Sequence, residues 1–170
     1  MKRTLSFILA SMVLLFCLTG CNSTSLPKEP DEFSFSLTWG TYGISSYNST
    51  TGELVKTNDT TRPEDYITTY HLSEDELDTI YALIRKLDIE SYPDIYDPNP
   101  GTGTEPPATI ILEVHTKDVD KTITAKDIAM GYDANNNKGQ KFLETVKAIK
   151  DILIETDEWK AFPEYEFFYY

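Results

Sequence analysis

From Phe33 the chain falls into short alternating runs. Phe33, Phe35, Leu37 and Trp39 are separated by Ser34, Ser36 and Thr38, the two-residue period of a strand with one buried face. Gly40 and Gly43, residues that mark bulges or close backbone approaches in strands, lead on to Ile44 and Tyr47. Ser49-Thr50-Thr51-Gly52 reads as a turn into a strand through Leu54 and Val55. Tyr66 to Leu72 is a further strand candidate, carrying Ile67 and Tyr70. The period then changes to that of a helix. Ser73-Glu74-Asp75-Glu76 is a capping box, followed by Leu77, Ile80, Tyr81, Ile84 and Leu87 on one face. This helix is expected to end near Asp88, ahead of Pro93.

Asp94 to Pro107 contains four prolines and two glycines and is predicted to hold no regular element. Its length is typical of functional or mobile loops. Alternation resumes from Ala108 to Thr116, with Ile110, Leu112 and Val114 on one side and Glu113 and His115 on the other. Lys117-Asp118-Val119-Asp120 reads as a hairpin turn into Lys121 to Ala125. A second helix is predicted from Gly139 to about Glu155, with Asn137 as a candidate cap and Phe142, Val146, Ile149 and Leu153 buried. Thr156 can cap a last short turn through Trp159, and the chain closes on Tyr165-Glu166-Phe167-Phe168-Tyr169-Tyr170. Strands, helix, strands, helix, joined by tight reversals, predict an α+β fold: a largely antiparallel sheet with two main helices packed on one face.

The first 32 residues stand outside that pattern. Lys2 and Arg3 precede an almost purely apolar run from Leu5 to Leu18, the layout of a secretory signal and too short to span a bilayer. The run ends in Leu18-Thr19-Gly20-Cys21, which resembles the lipobox of bacterial lipoproteins. That resemblance implies a diacylglyceryl group on the Cys21 thiol and cleavage just before it by signal peptidase II. Two acyl chains on one residue suffice for stable anchoring. The expected organisation is a lipoprotein signal peptide at 1–20, a lipid-anchored tether at 21–32 and a single α+β domain at 33–170. The expected location is the extracytoplasmic face of the cell membrane. The body is also similar to uncharacterised small lipoproteins of Gram-positive bacteria, including the Trp159-Lys160 and Pro163 near its end. The tether is rich in Ser, Thr, Pro and Glu, and a coil of that length reaches roughly 20 Å.

Charge narrows the partners. The whole chain carries −13, and loss of Lys2 and Arg3 with the signal leaves −15. So acidic a body excludes nucleic acid as a partner and leaves cationic groups, metal ions or neutral glycans. Cysteine use is equally plain. Cys17 leaves with the signal and Cys21 is capped by lipid, so no thiol nucleophile, disulfide or thiolate zinc site remains.

Candidate chemistry is sparse. Asp133, Asn135, Asn137 and Glu144 fill positions 1, 3, 5 and 12 of a calcium loop, but Lys138 occupies the sixth position, where a glycine makes the turn. A polar loop running into a helix explains the same residues. His71 and His115 lack helical partners for zinc, and His115 beside Glu113 is the ordinary neighbourhood of an exposed strand face. Gly43-Ile44-Ser45-Ser46-Tyr47 lacks the closing glycine of a nucleophile elbow. No catalytic residue and no cofactor are expected.

Aromatics are the remaining signal. Tyr occurs 11 times, and Tyr92, Tyr96, Tyr132, Tyr165, Phe167 and Tyr169 lie outside clear core positions. Aromatics placed on loops stack on sugars or anchor protein partners. The leading expectation is therefore a non-catalytic, membrane-anchored binding domain for an envelope protein or glycan. An envelope hydrolase acting on peptidoglycan or glycans through surface carboxylates is the alternative.

Overall fold

The computed structural model describes residues 32–41, 45–57, 65–102, 107–128 and 131–164. The Leu18–Cys21 motif and the aromatic positions Tyr165, Phe167 and Tyr169 lie outside the described residues. Four strands open the fold: β1 (Ser34–Thr41), β2 (Ser45–Asn48), β3 (Glu53–Thr57) and β4 (Asp65–Thr69). Helix α1 (Glu74–Leu87) follows, then a 3₁₀ turn (Ile89–Ser91) and the two-residue β5 (Ile95–Tyr96). The chain continues with β6 (Ala108–His115), β7 (Asp120–Ile128), α2 (Asn137–Ile154) and α3 (Asp157–Lys160).

The strands form one seven-stranded sheet in the order β4-β3-β2-β1-β6-β7-β5. Every pairing is antiparallel except that of β5 with β7. Alternation in the sequence becomes a cross-strand row here. Leu54 faces Tyr47, Tyr47 faces Leu37, Leu37 faces Leu112 and Leu112 faces Ile123, and all five are fully buried. The next row, Val55, Ser46, Thr38, Ile111 and Thr124, points to the opposite face and keeps contact with solvent. One face of the sheet is therefore the core face.

Both main helices cover that face. Ile80, Ile84 and Leu87 from α1 and Phe142, Leu143, Val146, Ile149 and Leu153 from α2 join the strand residues in one hydrophobic cluster. The α1 capping box is formed as its sequence dictates: the Glu76 N–H donates to the Ser73 hydroxyl, and the Ser73 N–H donates to the Glu76 carboxylate. Asp88 closes the helix in the left-handed conformation (φ 59°), which lets the chain reverse at once into the 3₁₀ turn. Thr156 caps α3 through the Trp159 N–H, and Trp159 packs its ring 5.6 Å from that of Trp39. Gly52 is obligatory at the β2–β3 turn, where φ is +73° and a Cβ would lie 2.7 Å from the His71 ring.

Four boundaries depart from the sequence reading. The segment 94–107 is not wholly irregular, because β5 pairs in parallel with β7, flanked by a hydrogen bond from the Thr124 N–H to the Asp94 carbonyl (2.7 Å). Two residues of parallel pairing leave no periodic trace. Helix α2 starts two residues early and its cap is Asn136, not Asn137: the Asn136 side chain accepts from the Gly139 N–H at 2.8 Å. Strand β4 stops at Thr69, and beyond it the Tyr70 hydroxyl donates to the Glu76 carboxylate of the neighbouring helix (2.8 Å). Strand β7 runs on to Ile128, past a register shift opposite Ala108 and Ile110.

Candidate functional site

The aromatic loops resolve into two different environments. Tyr92 and Tyr96, expected outside the core, are buried within it: β5 pulls Tyr96 inward, and its ring meets those of Tyr92 (5.1 Å) and Phe142 (5.4 Å) edge-on. A run dense in proline hid that burial, because core membership came from a partner strand far along the chain. Tyr132 is half-buried, in left-handed backbone (φ 57°), beneath the Lys150 ammonium at 4.3 Å from the ring centroid. Burial, helped by the nearby Asp151, pushes the Tyr132 hydroxyl up to about 12.

The Pro-rich and Asn-rich loops do converge, on one side chain. Asn99 is buried; its amide nitrogen donates to the Asp133 carbonyl and its amide oxygen accepts from the Asn135 N–H, both at 2.8 Å. The Asn136 amide donates to the Pro98 carbonyl at 2.9 Å. Gly139 makes this seam possible, since a Cβ there would lie 2.6 Å from the Pro98 carbonyl oxygen. Of the calcium-loop positions, Asp133 and Asn135 join this seam through their backbone groups. Asp133, Asn135, Asn137 and Glu144 are exposed, and Glu144 accepts a hydrogen bond from Gln140 (3.0 Å). Among the described residues no group of three or more His, Cys, Asp or Glu side chains converges as a metal site. His115 pairs with Asp120 at 3.0 Å, while Glu113 accepts from the Ser36 hydroxyl.

Sequence reasoning missed a groove. Where the first turns of α1 lie beside the last turns of α2, a concavity of about 520 Å³ opens between the helices. Thr79, Ala148 and Ile152 line it together with four carboxylates: Asp75, Glu76, Asp151 and Glu155. Ala148, Asp151, Ile152 and Glu155 recur at helical spacing. The available signal was Ile152, an apolar residue off the buried stripe of α2 and flanked on its own face by acids.

The groove acids differ in how firmly they are held. Partial burial raises the Glu76 carboxylate, but hydrogen bonds from the Ser73 hydroxyl and N–H and from the Tyr70 hydroxyl outweigh it and leave it below the usual range. Glu76 is thus a fixed anion, poorly suited to donating a proton. Asp151 pairs with Lys147 (2.6 Å) and Glu155 with Lys160 (2.7 Å), with these side chains 43–74% exposed. Exposed pairs of this kind contribute about 0–1 kcal/mol, so an incoming cation can replace either lysine. Among the described residues no helix is long and apolar enough to cross a membrane. No protein-family model matches the chain, and no curated protein is significantly similar to it.

Proposed function

We propose that this chain is a lipoprotein anchored through Cys21, whose domain is a non-catalytic binding module for a cationic, amphipathic segment of an envelope protein. The observation that carries the binding half is the groove between α1 and α2, with acids around an apolar floor. Apolar side chains of such a segment would cover Ala148 and Ile152 while its cations meet the carboxylates. A neutral glycan would gain nothing from the four carboxylates, two of which are held only by exposed lysines, and is the less fitting occupant.

The anchor rests on Leu18-Thr19-Gly20-Cys21. Cells given a clickable fatty acid are expected to label the native protein and not Cys21→Ala; label on the variant would end the lipoprotein reading.

The groove is tested on the intact protein with a fluorescent leucine–lysine peptide of helical pattern and a leucine–glutamate counterpart. The lysine peptide is expected to bind, more weakly as salt rises. Asp151→Asn/Glu155→Gln should weaken it about tenfold, two exposed ionic contacts of roughly 0.7 kcal/mol each. Glu53→Gln/Asp120→Asn, the same charge change at exposed positions outside the groove, should leave it unaltered. Equal binding of both peptides would show that the groove acids play no part, and equal loss in both variants would show that only net charge is at work; either outcome overturns the groove reading.

A further inference from the structure

Another concavity lies where the chain enters the domain. Phe33, Tyr81, Ile84, Ile89, Val114 and Val119 give a pocket of about 240 Å³ an apolar wall drawn from strand, helix end and hairpin turn. Arg85, Asp88, Glu90 and Asp118 are the exposed charges of its lining. The left-handed Asp88 is what folds Ile89 back to meet Phe33's end of the sheet.

We propose that this pocket is the dock of the chain's own tether, with Leu26 seated against the apolar wall and Lys28 against the acids beside it. Three observations point to this occupant. The tether arrives at the pocket, since Phe33 itself lines it. Leu26 stands seven residues earlier in the chain, a length that extends to at most about 25 Å and so returns to the pocket with slack. Leu26 is also the one large aliphatic residue between Cys21 and Phe33.

Charge agrees with that placement. Lys28 is the sole cation of the tether and meets Asp88, Glu90 and Asp118, while Glu29 and Asp31 suit Arg85. Pro27 and Pro30 restrict the free tether and so lower the entropy lost when it docks. A docked tether holds the domain close to its anchor in one orientation, and a released one lets it swing over roughly 20 Å. The proposal is independent of the interhelical groove and of acylation, needing only residues 22–31 attached to the domain.

Two measurements on the full chain test it. Leu26→Cys/Val119→Cys under mild oxidation is expected to bridge within one chain, far more often than Leu26→Cys/Glu53→Cys; Leu26→Cys alone identifies any bridge to Cys17 or Cys21. Trypsin cleavage after Lys28, followed by fragment mass, is expected to be slow in the native chain. If docked tethers outnumber free ones ten to one, Leu26→Asp raises that rate about tenfold, because cleavage follows the open population; an unchanged far-UV spectrum shows the domain still folded. Equal cleavage rates overturn the proposal. A 26–119 bridge no more frequent than the 26–53 bridge does so too, and bridges formed between chains point to a second copy as the occupant instead.

Discussion

Replacing Phe142 by alanine is expected to remove about 3–5 kcal/mol of folding stability, the range for deleting a buried aromatic ring. Phe142 is fully buried, with the Tyr92 ring at 5.5 Å and the Tyr96 ring at 5.4 Å. Neither tyrosine can follow it into the space left behind. The Tyr92 hydroxyl is tied to the Lys138 carbonyl at 3.1 Å, and Tyr96 belongs to β5. A domain of this size holds roughly 5–15 kcal/mol in all, so the loss takes about a fifth of it or more. Urea unfolding followed by tryptophan fluorescence measures it, with Phe142→Leu as the milder comparison. A cost below about 1 kcal/mol would contradict the packing described.

Alkali is the second strong lever. Burial, the largest influence on each, pushes the hydroxyls of Tyr47, Tyr70, Tyr92 and Tyr132 from 10.0 up to about 12. An acid whose folded pKa lies above its unfolded one favours the fold while it is neutral. That stability is complete below pH 10 and drains away as the pH climbs towards 12. Tyr47 is 1% exposed and donates to the Tyr70 carbonyl, and its shift alone amounts to roughly 3 kcal/mol. Tyr70 and Tyr132, only half-buried, contribute less. Tyrosinate absorbance and far-UV dichroism are expected to change together between pH 10 and 12, with Tyr47→Phe delaying both. Titration of all 11 tyrosines near pH 10 with the fold intact would refute this.

The two levers meet at one place in the fold. Tyr92 contacts Phe142, bonds to the first turn of α2 and lies 4.5 Å from the Lys138 ammonium. The Pro98–Asn99 seam holds the residues just before the same turn, through Asn135 and Asn136. The start of α2 is therefore pinned by ring packing and by buried hydrogen bonds, while its far end, bearing Ala148 to Glu155, borders the open groove.

Local chemistry was legible without coordinates. Ser73 and Glu76 announce the start of α1 because a capping box acts over four residues. Phe35, Leu37 and Trp39, or Ile110, Leu112 and Val114, announce strands because one face of a sheet must be buried. The α+β class follows from the order of those periods. What lay beyond reach was every relation between segments distant in sequence. Tyr96 joins the core only because β5 finds β7. Asn99 matters only because the Asp133–Asn136 loop closes over it, and Asp75 and Asp151 share a groove only because α1 packs beside α2. Periodicity records which side of an element is buried, whereas the partner of that side is chosen when the whole chain packs. The sequence by itself therefore determined the longer elements, the acidic charge and the lipobox-like motif at Leu18 to Cys21; tertiary structure alone decided β5, which aromatics are core and where a ligand could lodge.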